Sequence, residues 1–222
     1  MATTGRNRVR CHAWIGLRSS GMLMTAEEFD SAPESAWVRH YRYELINGVL
    51  VVTPPVREAE ASPNEDLGFL LRTYQETHPN GSSLDFTLNE RTVPTTANRR
   101  RCDRAIWAGL GRLPDTAKDV PTIVVEFVSA GRRYATRDYE HKRDEYRAAG
   151  VREYWIIDRF RRIMTVYREG PAQQVVVENQ NYETEILPGF VLPLARLLSR
   201  DDQWKKARPK RPRKPPAGGT DG

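Results

Sequence analysis

Glu126 lies within Pro-Thr-Ile-Val-Val-Glu-Phe-Val-Ser, residues 121–129, where it is the sole charged residue. Strand alternation puts Ile123, Val125 and Phe127 on one face and Val124, Glu126 and Val128 on the other. Both faces are apolar, so the strand is expected to be central in a sheet covered on both sides. An isolated carboxylate there is too costly to persist. It must be protonated, paired with a cation, or bound to a metal. A second acid, Asp103, opens another apolar run, and residues 109–121 join the two. That joint holds Gly109, Gly111, Pro114, Asp115 and Pro121, all turn formers. A hairpin centred on residue 115 sets Asp103 opposite about Phe127, next to Glu126. Two carboxylates at the mouth of a sheet repel each other, and a hard divalent cation such as magnesium is the usual remedy. Taken alone, Asp103 reads equally as a strand-end or turn aspartate.

Lys142 supplies the third group. At about 100° per residue, Ala135, Tyr139, Tyr146 and Ala149 form one stripe of a helix, and Lys142 falls inside it. Such a lysine lays its stem along the sheet and sends its ammonium to a partner, or snorkels to the surface. Two acids with a lysine nearby are equipment for metal-assisted phosphodiester hydrolysis: the metal polarises the phosphate and the ammonium steadies developing charge. Glu44, in Tyr-Glu-Leu-Ile-Asn-Gly, is a fourth candidate that alone reads as an exposed strand residue. Arg99, Arg100, Arg101 and Arg104 beside Asp103 are either phosphate contacts or a solvated charge run.

These groups must be positioned by one α/β domain. Thr25 and Glu28 have capping-box spacing at the start of a short helix. Tyr41–Ile46 and Val49–Thr53 flank Asn47-Gly48, a two-residue hairpin signal. Ser62-Pro63-Asn64-Glu65 reads as a cap, a proline at the first helical position and a capping-box acid, opening a helix that ends near His78-Pro79. Strands are expected at Leu84–Leu88, Asp103–Ala108 and Thr122–Val128, followed by a helix over Ala135–Ala149 stopped by Gly150. Strands Glu153–Asp158 and Ile163–Tyr167 come next, and the pattern to Trp204 is mixed.

The chain of 222 residues carries a formal net charge of +6, but the charge sits at its ends. From Lys205 onward seven basic residues face one acid, so residues 1–204 are neutral. The Lys/Arg/Pro run after Trp204 has no apolar periodicity and is expected to be a disordered basic tail, or a phosphate-binding arm. Residues 1–21 hold four arginines and no acid and are expected to lie outside the fold, which leaves 22–204 as the domain. No apolar stretch is long enough for a membrane helix. Two cysteines without a CxxC pair exclude a disulfide framework and a zinc-ribbon site, and a reducing cytoplasmic setting is the default. GxSxG, P-loop and GxGxxG motifs are missing. His141 adjoins Lys142 but points away from the stripe, towards solvent.

The order Tyr-Glu44-Leu-Ile-Asn-Gly, Asp103, Val-Val-Glu126-Phe-Val-Ser, Lys142 within Glu-His-Lys-Arg-Asp-Glu-Tyr, then Ala-Gly-Val-Arg-Glu-Tyr-Trp-Ile-Ile-Asp, resembles the Uma-two family. That family belongs to the PD-(D/E)XK, restriction-endonuclease-like superfamily. The resemblance runs from about Met24 to Tyr167. It implies a mixed β-sheet flanked by helices, with an antiparallel N-terminal hairpin. It also implies a magnesium-dependent endonuclease acting on DNA, with manganese as a substitute. Glu44, Asp103 and Glu126 fall on the family's metal-binding acids, and Lys142 on its displaced lysine. Arg101 and Arg104 become candidate DNA contacts. Cys102 stands where the family motif has proline, and Ser62–Glu65 lacks the histidine often found at that point. Many nucleases of the superfamily act as homodimers, although no residue here marks a dimer surface. A relative without turnover, binding nucleic acid or serving assembly, is the competing expectation.

Overall fold

The computed structural model describes residues 14–56, 58–129, 135–170 and 172–207. The elements run α1 (Ala26–Ser31), β1 (Arg42–Ile46), β2 (Val49–Thr53), α2 (Glu58–Thr77), β3 (Leu84–Pro94), β4 (Arg99–Ala108), β5 (Ile123–Phe127), α3 (Ala135–Ala149), β6 (Glu153–Asp158), β7 (Ile163–Tyr167), β8 (Gln173–Val177), β9 (Asn181–Glu183), β10 (Val191–Pro193) and α4 (Leu194–Ala207). Thr25 and Glu28 close the expected capping box on α1. Asn47 and Gly48, at φ 50° and 75°, make the tight β1–β2 turn that the Asn-Gly pair demands. Gly150, at φ 101°, ends α3.

Eight strands form one mixed sheet in the order β2-β1-β4-β5-β6-β7-β8, with β3 also paired to β4; β9 and β10 form a small second sheet. The β5–β6 pair is parallel, with α3 as its crossover, and the other pairs are antiparallel. Alternation along β5 splits the core as expected. Ile123, Val125 and Phe127 join Leu67 and Leu71 of α2 and Leu194, Leu197 and Leu198 of α4 on one face. Val124 joins Tyr139 and Tyr146 of α3 on the other.

Several boundaries differ from the sequence reading. α2 begins at Glu58 rather than at Ser62, so Pro63 lies inside the helix. As the sixth residue of the helix, Pro63 gives up one intrahelical hydrogen bond and crowds the carbonyl four residues back, a cost that the packing of α2 on the sheet outweighs, so the preference of proline for the first turn misplaced the start. β3 and β4 are each longer than expected because they pair along their whole length, Phe86 with Trp107 through to Pro94 with Arg99. Polar sequence such as Asn89-Glu90-Arg91 hides a strand whose partner is itself arginine-rich. Residues 14–21, read as part of an extension, are packed on the domain: Ile15 is buried, and the Gly21 N–H donates to the Leu50 carbonyl. The basic tail was expected to start at Lys205, but α4 continues through Ala207; residues 1–13 and 208–222 lie outside the described residues. Among the described residues no helix is long and apolar enough to cross a membrane.

Candidate active site

The site is a gap in the sheet. One edge of β4 is occupied throughout by β3. Its other edge meets β1 only at Arg99, opposite Leu45, and meets β5 only from Arg104 to Ile106. Between those contacts, residues 100–103 of β4 face an opening between the ends of β1 and β5. Side chains take over the backbone there. The Arg101 N–H donates to Glu44 Oε1 at 3.0 Å, and Lys142 Nζ donates to the Arg101 carbonyl at 3.2 Å. The Phe127 N–H, where β5 leaves the ladder, donates to Asp103 Oδ2 at 2.6 Å. The β4–β5 register pairs Arg104 with Val125. Extended one step, it sets Asp103 level with Glu126, within a residue of the expected pairing.

Glu44, Asp103, Glu126 and Lys142 therefore line one small hollow, together with Arg42, Thr53, Arg101, Phe127 and Ser129. Its free volume is about 10 Å³, space for roughly one water molecule. Lys142 is 2% exposed, which settles snorkelling against it. Its Nζ lies 2.8 Å from Glu126 Oε1 and 3.4 Å from Glu44 Oε1. The Tyr146 hydroxyl, one turn further along α3, also donates to Glu126 Oε1 at 3.3 Å. Among the described residues no hydrogen bond reaches Glu126 Oε2.

Burial pushes the Glu126 carboxyl up to about 7; Asp103 and Glu44 add to this, and Lys142 opposes it. Between the ordinary 4.5 and about 7 the folded chain holds a proton that the unfolded chain has lost. This group's contribution to stability therefore falls as pH rises through that window and levels above it. Carboxyl ¹³C NMR of the metal-free protein should show Glu126 titrating near 7. A midpoint in the ordinary carboxylate range would mean that Lys142 outweighs burial.

Two groups in the site were not singled out from sequence. Arg42 donates through Nη2 to Asp103 Oδ1 at 2.8 Å and pairs through Nε with Glu90 Oε2 at 3.0 Å. Burial opposes its charge, but Asp103, Glu90, Glu126 and Glu44 together raise its pKa. Arg42 and Glu44 are two apart on β1, so alternation had already placed them on one face. Glu90 lies in the left-handed region at φ 50° within β3. Around it the strands exchange faces: Phe86, Leu88 and Val93 of β3 all pack on the α3 side, as do Cys102, Ala105 and Trp107 of β4. Glu90 thereby reaches both Arg42 and Arg101, the latter at 2.6 Å.

Every arginine of the run has a partner within the protein; Arg101, paired with Glu90, is the most exposed of the salt-bridged arginines 99–101. Arg99 pairs with Asp30, and the buried Arg100 pairs with Glu145 of α3. Arg104, expected as a DNA contact, is 3% exposed. Its Nε and Nη2 bind Asn64 Oδ1 and the Asn64 carbonyl, both at 2.7 Å, and Nη1 reaches Thr87. Burial lowers its pKa to about 10. It fastens α2 to β4, while Asn64 Nδ2 holds the Asp103 carbonyl at 2.7 Å. Gly68 leaves space for this guanidinium, since a Cβ there would lie 2.6 Å from Arg104 Nη2. Gly68→Ala should therefore cost about 1–3 kcal/mol, because a side chain tied at three points cannot yield. A thermal melt several degrees below wild type checks this.

Nor do the acids form a ready metal cage. Among the described residues no three Asp, Glu, His or Cys side chains are arranged to hold an ion. Glu44 borders Glu126 but is engaged by Arg101 and Lys142.

The Uma2 family model, described as "Putative restriction endonuclease", matches residues 26–195. The chain belongs to the Uma2 family. The Uma2 match spans everything from α1 to the first turn of α4, the hollow included. A solved structure from Anabaena variabilis, described as "a putative nuclease belonging to DUF820", superposes with a TM-score of 0.63 at 14% identity. The superposition covers 80% of this chain and 99% of that one. At that identity the likeness is one of fold, and it bears out the mixed sheet flanked by helices. No curated protein matches the chain.

Proposed function

We propose that this Uma2 chain is a metal-dependent endonuclease that hydrolyses phosphodiester bonds in DNA. The observation that carries the reading is the convergence of Asp103, Glu126 and the Lys142 ammonium on one gap in the sheet. The donors suit magnesium or manganese, which take one or two protein carboxylates and complete their shell with water and substrate phosphate. Asp103 and the open Oε2 of Glu126 would hold the ion, with Glu44 alongside. When bound, the cation supplies Lewis acidity to the phosphate and lowers the pKa of a water.

The chain's own groups do the rest. Lys142 is buried, and its three N–H donors are shared among Glu126, Glu44 and the Arg101 carbonyl; when one of these partners turns to a cation, the N–H it releases can orient a water or meet charge growing on the phosphate. Arg42, drawn off Asp103 by a phosphate, would neutralise that phosphate while freeing the carboxylate. Glu90 keeps a grip on Arg42 during such a movement. The test is plasmid nicking with magnesium, with EDTA, and with Glu126→Ala.

A second reading has one observation in its favour: the acids are already neutralised within the chain, by Arg42 on Asp103 and Lys142 on Glu126. On that reading the chain binds nucleic acid, or serves assembly, without turnover. Titration calorimetry with manganese separates the two. The nuclease reading expects binding that Glu126→Gln and Asp103→Asn each weaken by at least about tenfold; the other expects none.

A further inference from the structure

Next to the hollow, beyond Arg101 and Glu90, runs a groove of about 750 Å³. Phe29, Trp37 and Tyr41 supply aromatic wall, and Arg39, Arg91 and Arg101 supply cations. Trp37 is braced by Phe29 at 5.0 Å and Tyr43 at 4.7 Å between ring centroids. Cations outnumber acids five to three along the groove, which suits an anionic occupant. Arg91 Nη2 donates to Thr116, but its Nε is buried with no hydrogen-bond partner. That N–H is closed off from the groove, so Arg91 offers an occupant its charge and not this donor. The groove shares Arg101 with the hollow, and shares Glu90 with a smaller cleft that also borders Asp103. A strand with its phosphate at Asp103 would pass directly into it.

Aromatic walls with interspersed arginines are how proteins hold unpaired nucleotides: each base offers a face for stacking and each phosphate a charge. A paired base keeps its faces inside the duplex stack, out of reach of such walls. We propose that this groove binds an unpaired nucleotide beside the scissile phosphodiester, so that the substrate is DNA with a single-stranded segment at the cut. The proposal rests on the nuclease reading for the position of the cut, and on the groove alone for the binding.

The experiment is fluorescence anisotropy of a labelled single-stranded oligonucleotide and its blunt duplex, on the full chain, in EDTA. The single strand should bind more tightly. Tyr41→Ala and Arg91→Ala should each weaken it by about tenfold and leave duplex binding unchanged. Arg39→Ala, at an exposed position, gives a third variant that tests the groove without disturbing packing, and circular dichroism verifies the fold of all three. Equal affinity for both DNAs, or variants that weaken both alike or neither, would overturn the proposal. Because no cation is present, the two readings fail separately. A chain that grips single strands through these residues yet never nicks DNA with magnesium refutes the nuclease alone. A chain that nicks duplex while the groove variants bind normally refutes the groove alone.

Discussion

Glu126→Ala should reduce magnesium-dependent nicking of supercoiled DNA by at least about 100-fold, the scale on which a preorganised electrostatic group acts. Glu126→Gln should do nearly the same. The second substitution is the sharper test, because the amide keeps the volume of the side chain and can still accept from Lys142 and Tyr146. What it removes is the charge. Burial already places this carboxyl near its ionisation point, at about 7, so the chain bears a steep desolvation cost to keep it. An apolar residue would suit β5 better, since every other side chain of that strand is apolar and buried. Loss of activity in both variants, assayed at a temperature where circular dichroism shows each still folded, would show that the carboxylate serves chemistry and not packing. Cleavage at wild-type rate by either variant would remove Glu126 from the mechanism.

The parts of the site that were legible in the sequence are those fixed by local period or by a turn-rich joint between neighbouring strands. Glu126 stood out because strand alternation leaves no room for a charge in a two-sided core strand. Asp103 could be placed beside it because the joint between β4 and β5, residues 109–122, is full of turn formers and sets the two strands antiparallel, and the assumed centre fell within a residue of the true register. Lys142 and Tyr146 are one helical turn apart, so the stripe that carried one carried the other. Strand period also puts Arg42 with Glu44, although only a known position for Glu44 makes that useful.

What stayed hidden depends on contacts between distant stretches. The gap itself arises because β1 touches β4 at a single pair, Leu45 with Arg99, and no local pattern announces where two strands part. Glu90 owes its role to a left-handed backbone inside a strand, a conformation that few residues other than glycine adopt and that the surrounding sheet must impose. The arginine run looked like a surface feature because arginine usually is one. Arg104 is buried only because Gly68, on a helix far away in sequence, leaves a cleft beside Asn64. The aromatic groove combines residues from the segment before β1 with β3 and the turn before β5, and thus escaped the period rules.

Lys142→Met should be the most destabilising of the site substitutions. Methionine fills the stem's volume but leaves Glu126 and Glu44 facing each other without the ammonium, and leaves the Arg101 carbonyl without its donor. Removing one partner of a buried ion pair costs about 3–5 kcal/mol. In a domain of this size that corresponds to a melting temperature lower by roughly 10 °C. The loss should be smaller at pH 5.5 than at pH 8, because below about 7 Glu126 can take up a proton in place of its lost partner. The double variant, Glu126→Gln with Lys142→Met, should recover most of the stability, since it removes the unpaired charge along with its partner. It should recover none of the nicking. That split separates the two roles of the pair: stability needs only that the charges match, whereas hydrolysis needs both to be present. If Lys142→Met melts at the wild-type temperature at pH 8, Glu126 is not held as an anion by this ammonium. If the double variant regains cleavage, neither group is part of the catalytic centre.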